Sequence, residues 1–246
     1  MNVLIVYAHP EPTSFNGAMK DLAVETLTSL GHEVEVSDLY AMNWNAVAGP
    51  HDIAGSLSQS DRFSLAREQT IALEKGMIAP EISAEQAKLS RADLVILQFP
   101  IWWFGMPAIL KGWADRVFAR GFAYTSGRKY DTGMFKGKLA MVSTTTGTSE
   151  ATYAPDGIDG SILTVLWPVH NGLLRYTGFD VLPPYIAYMP GNVDEATRAQ
   201  QLNGLKIRLE NIDQTPRLFF HPKDDYGPDE RLKPGVIARS GQQRNL

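Results

Sequence analysis

Along this chain, short uninterrupted apolar runs alternate with longer stretches in which apolar residues recur every three or four positions. Residues 3–8 form one such run, closed by His9-Pro10, and a strand buried on both faces of a parallel sheet reads this way. Over 17–30 the positions Met19, Leu22, Ala23, Thr26, Leu27 and Leu30 share one helical face, and Gly31 supplies the stop. A second strand follows over 33–36. The alternation then predicts a helix over 83–90, a strand over 94–99 and a helix opening at Met106 with Pro107 in its first turn. A strand over 139–144, a helix over 161–176, a strand over 181–188 and a helix over 194–211 complete it. Five strands separated by helices specify an α/β fold, a doubly wound parallel sheet with right-handed crossovers.

Two stretches break the rhythm. Residues 39–80 are polar, weakly periodic and longer than an ordinary connection, so they read as an insertion after strand 2 with its own role or interface. After Pro216 the chain is polar and punctuated by Pro222, Pro228, Pro234 and Gly241, which predicts an irregular tail lying over the surface or over a partner subunit. The expected organisation is one domain over 1–216 followed by a tail over 217–246. A net charge of −4 argues against nucleic acid as a partner, and no apolar stretch approaches the ~18 residues of a membrane-inserted span. The absence of cysteine excludes disulfides, thiolate metal sites and a cysteine nucleophile, and it fits a cytoplasmic location.

In doubly wound sheets ligands bind beyond the carboxyl ends of the strands, which directs attention to the loops 9–16, 100–105 and 145–153. The first carries His9, Thr13, Ser14 and Asn16 into a helix N-terminus, where free N–H groups and the dipole favour an anion; Ser14 or Asn16 serving as a plain N-cap is the competing reading. Neither GxGxxG nor a Walker A pattern is present. The second loop places Trp102, Trp103 and Phe104 together, either to stack on a planar ligand or to plug the core. The third, Thr144-Thr145-Thr146-Gly147-Thr148-Ser149, offers hydroxyls and free backbone without charge, which suits the edge of a neutral heterocycle. The five histidines lack metal-ligand spacing and no nucleophile elbow is visible, so a bound cofactor is the better source of chemistry.

These residues resemble a known family. Tyr7-Ala8-His9, Thr13-Ser14-Phe15-Asn16, Ser37-Asp38-Leu39-Tyr40-Ala41-Met42-Asn43, Gln98-Phe99-Pro100, the run from Trp103-Phe104-Gly105 to Lys111-Gly112-Trp113, and Leu166-Trp167-Pro168 are together similar to the NAD(P)H:quinone oxidoreductases of the DT-diaphorase type. The resemblance spans residues 3–216 and implies a flavodoxin-like five-stranded sheet of order 2-1-3-4-5, a tightly bound FAD (FMN as the alternative), NADH or NADPH as co-substrate, a quinone or other small aromatic acceptor, and a homodimer with shared active sites. It implies that His9, Thr13, Ser14, Phe15, Asn16 and Ala18 hold the pyrophosphate and ribityl side. Pro100, Ile101, Trp102, Trp103, Phe104, Thr145, Thr146, Gly147 and Tyr153 surround the isoalloxazine, and Arg198 and Leu202 meet the adenosine end. The catalytic group comprises Tyr153, Gly147, Trp103 and Tyr124. The substrate pocket takes Trp103, Phe104, Gly147 and Tyr176 from one subunit and Tyr124 from the other, with Ser126 standing where relatives have a second pocket tyrosine.

Further departures are Asp159 in place of a histidine paired with the tyrosine at the N1/O2 edge, Thr148 in place of a glycine, and Trp102 in place of a glutamine. Gly157 and Gly160 flank Asp159, and the expectation is that its carboxylate turns outward and Tyr153 acts alone or through water. An azo- or nitro-reductase using the same flavin, and a non-catalytic flavin-binding redox module, are the competing functions.

Overall fold

In the computed structural model, which describes residues 1–58 and 62–239, four strands pair in parallel: β1 (Asn2–Tyr7), β2 (Glu33–Asp38), β3 (Leu94–Pro100) and β4 (Leu139–Thr146). Every residue of β3 and β4 is buried, as continuous apolar runs require, whereas β2 alternates and shows Glu33 and Glu35 to solvent at the sheet edge. The expected fifth strand arrives in two pieces, β5 (Asp180–Val181) and β6 (Tyr185–Tyr188), both paired with β4. Pro183 and Pro184 separate them, because proline cannot donate to a ladder. The order β2-β1-β3-β4-β5 is the one expected, with six strands rather than five.

Side chains alternate across this sheet into two cores. Leu4, Val6, Leu97, Phe99 and Val142 face α3 (Pro80–Arg91) and α4 (Ala108–Val117). Val3, Ile5, Ile96 and Met141 face α1 (Phe15–Ser29) and α7 (Glu195–Glu210). Asp194 caps α7 by accepting from the Thr197 N–H at 2.8 Å, and Gly31 turns out of α1 at φ +81°. Pro107 precedes α4 as its N-cap, so that helix opens two residues later than Met106.

The insertion carries a helix that its sequence pattern hides, and the expected helix over 161–176 fails, each for an identifiable reason. The 39–80 insertion contains α2 (Leu65–Lys75), whose inward face is Glu68, Gln69 and Ala72; a buried face that is mostly polar leaves no apolar stripe to read. The single helix over 161–176 is instead α5 (Ile162–Val165), α6 (Trp167–Val169) and a π-helical segment, His170–Arg175. Pro168 removes a helical donor at the break, and the ladder downstream widens.

The described part of the tail returns to this segment. Leu218 N–H donates to the Val181 carbonyl at 2.8 Å, Phe220 packs beside Trp167, and the buried Arg175 guanidinium donates to the His221 carbonyl. Residues 240–246, including Gly241, lie outside the described residues. Among the described residues no helix is long and apolar enough to cross a membrane.

Candidate functional site

The carboxyl ends of β1, β3, β4 and β6 open into a cleft of about 610 Å³. Its walls bring together His9, Thr13, Ser14, Phe15, Asn16, Ala18, Pro100, Ile101, Trp102, Thr145, Thr146, Gly147 and Arg198, with Pro190 and Gly191. All but the last two were singled out in the sequence. Pro190 and Gly191 follow β6, whose carboxyl end falls where the expected strand over 181–188 put it, so the strand-end rule applied to that loop reaches them too.

At the α1 end the N-cap reading of the loop holds. Ser14 Oγ accepts from the Gly17 N–H at 3.1 Å as an N-cap, while its residue still lines the cleft. Gly17 is required by packing, since a Cβ there would stand 1.9 Å from the Pro12 carbonyl oxygen. Asn16 is buried; it donates to Thr145 Oγ1 at 2.9 Å and accepts from Gln98 Nε2 at 2.8 Å, bracing α1 against the ends of β4 and β3. The Glu11 carboxylate accepts from both the N–H and the hydroxyl of Thr13, which holds it below the usual carboxylate range. Nδ1 of His9 stands 3.0 Å from both the N–H and the carbonyl oxygen of Glu11, which fixes the ring beside the cleft.

The second loop is a two-residue hairpin closed by Trp102 N–H to Gly105 O at 3.1 Å and Gly105 N–H to Trp102 O at 3.0 Å. Its central residues, Trp103 and Phe104, sit at φ +49° and +57°. Turns of this kind prefer Asn-Gly, and large side chains there store roughly 1–3 kcal/mol each. Trp103 is 98% exposed, which removes the core-plug reading.

In the third loop, Gly147 has open space around its Cα. Tyr153 is buried, 6.4 Å from the Phe104 ring and 6.3 Å from that of Tyr188. Burial raises its phenol above the ordinary range, a hydrogen bond with Thr148 offsets part of that, and the Asp159 charge adds to the rise. Asp159 does not turn outward: Oδ2 accepts from Thr148 Oγ1 at 3.2 Å, and Thr148 Oγ1 in turn accepts from the Thr152 hydroxyl at 2.9 Å. Thr148, at a position where glycine was the family expectation, supplies the hydroxyl that holds it.

Across the hairpin lies a second cavity of about 740 Å³, whose lining includes Phe104, Tyr124 and Tyr176. Tyr124 and Tyr176 meet edge to face at 5.7 Å within one chain, which corrects their assignment to different subunits. Tyr130 packs on Tyr176 at 5.3 Å, and the Lys129 ammonium stands 5.5 Å from the Tyr176 ring. Neither was legible, because long-range packing places both. Ser126 is exposed in the turn from Thr125 to Arg128 and lines neither cavity. Arg198 donates to the Val193 carbonyl at 2.5 Å at the cleft wall; Leu202, one turn along α7, packs against the core beneath α1 and α7 instead of lining the cleft. Among the described residues no His, Asp and Glu side chains gather as a metal site.

The family of flavodoxin-like fold matches residues 1–209. The chain is 48% identical over 240 residues to rat NAD(P)H dehydrogenase (quinone) 1, covering 98% of this chain and 87% of that one. It is 45% identical over 210 residues to human ribosyldihydronicotinamide dehydrogenase (quinone), covering 85% and 91%. A crystal structure of a candidate quinone reductase from Klebsiella pneumoniae superposes with a TM-score of 0.93 at 42% identity, over 98% of this chain and 97% of that one.

Proposed function

The chain belongs to the flavodoxin-like fold family, as an NAD(P)H:quinone oxidoreductase within it, and on that premise we propose that the first cleft holds FAD for a ping-pong reduction of quinones in the cytoplasm. The hairpin carries this reading. Two aromatics are held at positive φ, and Trp103, almost fully exposed, is strain with almost no packing return inside the chain; a planar ligand stacked on it supplies that return. A flavin held there would supply two-electron hydride-transfer chemistry between NADH or NADPH and the acceptor.

The chain's own groups do the rest. The N-terminus of α1, with His9, Thr13, Ser14, Phe15 and Ala18, meets the pyrophosphate, and Glu11 yields the Thr13 donors it now occupies. Asn16 holds Thr145 in place for the ring edge, while Thr146 and Gly147 present backbone groups. Tyr153 stays protonated at neutral pH because burial disfavours its anion, so its O–H is available where negative charge develops at the N1/O2 edge. Arg198 faces the adenosine end. In a homodimer, the Trp103 hairpin of one subunit and the wall of Tyr124 and Tyr176 of the other enclose the space that donor and acceptor use in turn. The domain over 1–216 then carries the catalysis, and the tail over 217–246 buttresses the tyrosine wall.

The test is to release and chromatograph the cofactor of the purified protein, then mix the protein anaerobically with NADH and afterwards with a benzoquinone. FAD at about one per chain, loss of its visible absorbance on the first mixing and recovery on the second are expected. Release of FMN alone removes the role given to Arg198, and absorbance that NADH leaves intact overturns the reading.

A further inference from the structure

Beside the second cavity, on the turn that packs against Tyr176 and outside the lining itself, stands charge that the proposed reaction does not require. The cavity lining contains Lys111 and Asp115, which pair at 2.6 Å and cancel. Behind it, Arg175 is compensated by Asp131 at 3.7 Å and by the His221 carbonyl, and the Lys223 N–H also donates to Asp131. Lys129 has no such partner. Its ammonium stands 5.5 Å from the Tyr176 ring, within the range at which an aromatic face attracts a cation, and among the described residues it makes no ion pair. Arg128, beside it on the same exposed turn, likewise makes none. The acids Glu150 and Asp159 act on Tyr188 and Tyr153. The turn beside the tyrosine wall therefore carries two cations without an ion pair among the described residues, on a chain whose net charge is −4.

We propose that Lys129, supported by Arg128, selects acceptors that carry an anionic substituent, a carboxylate or sulfonate on the quinone ring system. The inference rests on the reading of this cavity as the acceptor pocket. An aromatic acceptor lying against Tyr124 and Tyr176 would direct a ring substituent toward the ammonium. Tyr176 keeps Lys129 poised without neutralising it, because a ring face attracts a cation but carries no net charge. The same cation could instead read a phosphate of the nicotinamide donor, and kinetics separate the two, since in a ping-pong cycle donor and acceptor half-reactions are measured independently.

The experiment compares naphthoquinone-2-sulfonate with neutral 2-methyl-1,4-naphthoquinone in the flavin-loaded wild type, Lys129→Met and Lys129→Arg. Taking the ratio of kcat/KM between the two quinones cancels effects on the flavin common to both. The ratio of sulfonate to neutral is expected to fall about fivefold in Lys129→Met, to stay within about twofold in Lys129→Arg, and to shrink in the wild type as salt is raised. Equal losses on both quinones, or no change in the ratio, overturn the proposal. A loss confined to flavin reduction by NADPH and absent with NADH assigns the cation to the donor phosphate and also overturns it. Quenching of tryptophan fluorescence by the sulfonated quinone gives a binding readout free of turnover, with Lys129→Met expected to weaken binding by the same factor. If the wild type reduces neither quinone, the functional reading fails on its own, while the quenching series still decides whether Lys129 binds the anion.

Discussion

His170 illustrates how one buried side chain can set a pH limit. It opens the π-helical segment at 2% exposure with Nε2 buried and unpartnered among the described residues, and burial lowers its pKa from 6.5 to about 4. A histidine that is neutral in the fold but titrates at its ordinary value once unfolded lets the unfolded state bind more protons between those two values. Stability is therefore complete above pH 6.5, falls as the pH drops through that window, and has lost about 3 kcal/mol from this group near pH 4. Denaturant midpoints measured from pH 7.5 to 4.5 should show this slope in the wild type, and His170→Gln should flatten it between pH 6.5 and 5, above the range where most carboxylates titrate. A slope identical in both proteins assigns the acid sensitivity elsewhere.

Among the elements, the hairpin after β3 makes the sharpest prediction. Because Trp103 is nearly fully exposed and held at positive φ, Trp103→Asn removes strain while removing almost no packing. The flavin-free protein should gain about 1 kcal/mol, read as a rise of roughly 2–4 °C in Tm, while quinone turnover collapses. A fall in Tm with turnover retained returns this residue to a structural role. The hairpin's position was legible because it follows a strand buried on both faces; its strain was not, because Trp-Phe is not a turn signal. β1, β3 and β4 were legible for the same reason of two-sided burial. The helix α2 was hidden by the polar groups that satisfy its inward face, where Glu68 accepts from Ser58 and Gln69 accepts from the Arg120 N–H. Of the site, the loops at strand ends could be read directly. Lys129 and Tyr130 could not, since their meeting with Tyr176 joins residues some 46 positions apart.

At the scale of the whole molecule, the tail is a structural buttress. Ending the chain at Pro216 removes Leu218 and Phe220 from the core beside α3 and α4 and takes the His221 carbonyl from the buried Arg175 guanidinium. The loss should be about 3 kcal/mol, since a charged group stripped of a buried acceptor adds to the lost apolar burial. The truncated protein should unfold at correspondingly lower denaturant, and Arg175→Met in the full chain should be the milder change; equal midpoints for the truncated and intact chains would falsify the buttress. The span between Arg175 and His221 also imposes an order in time. Synthesis at about 5–20 residues per second adds His221 roughly 2–9 s after Arg175. The strands of the sheet all precede that carbonyl, so the support of the tyrosine wall is among the last parts of the molecule that translation supplies.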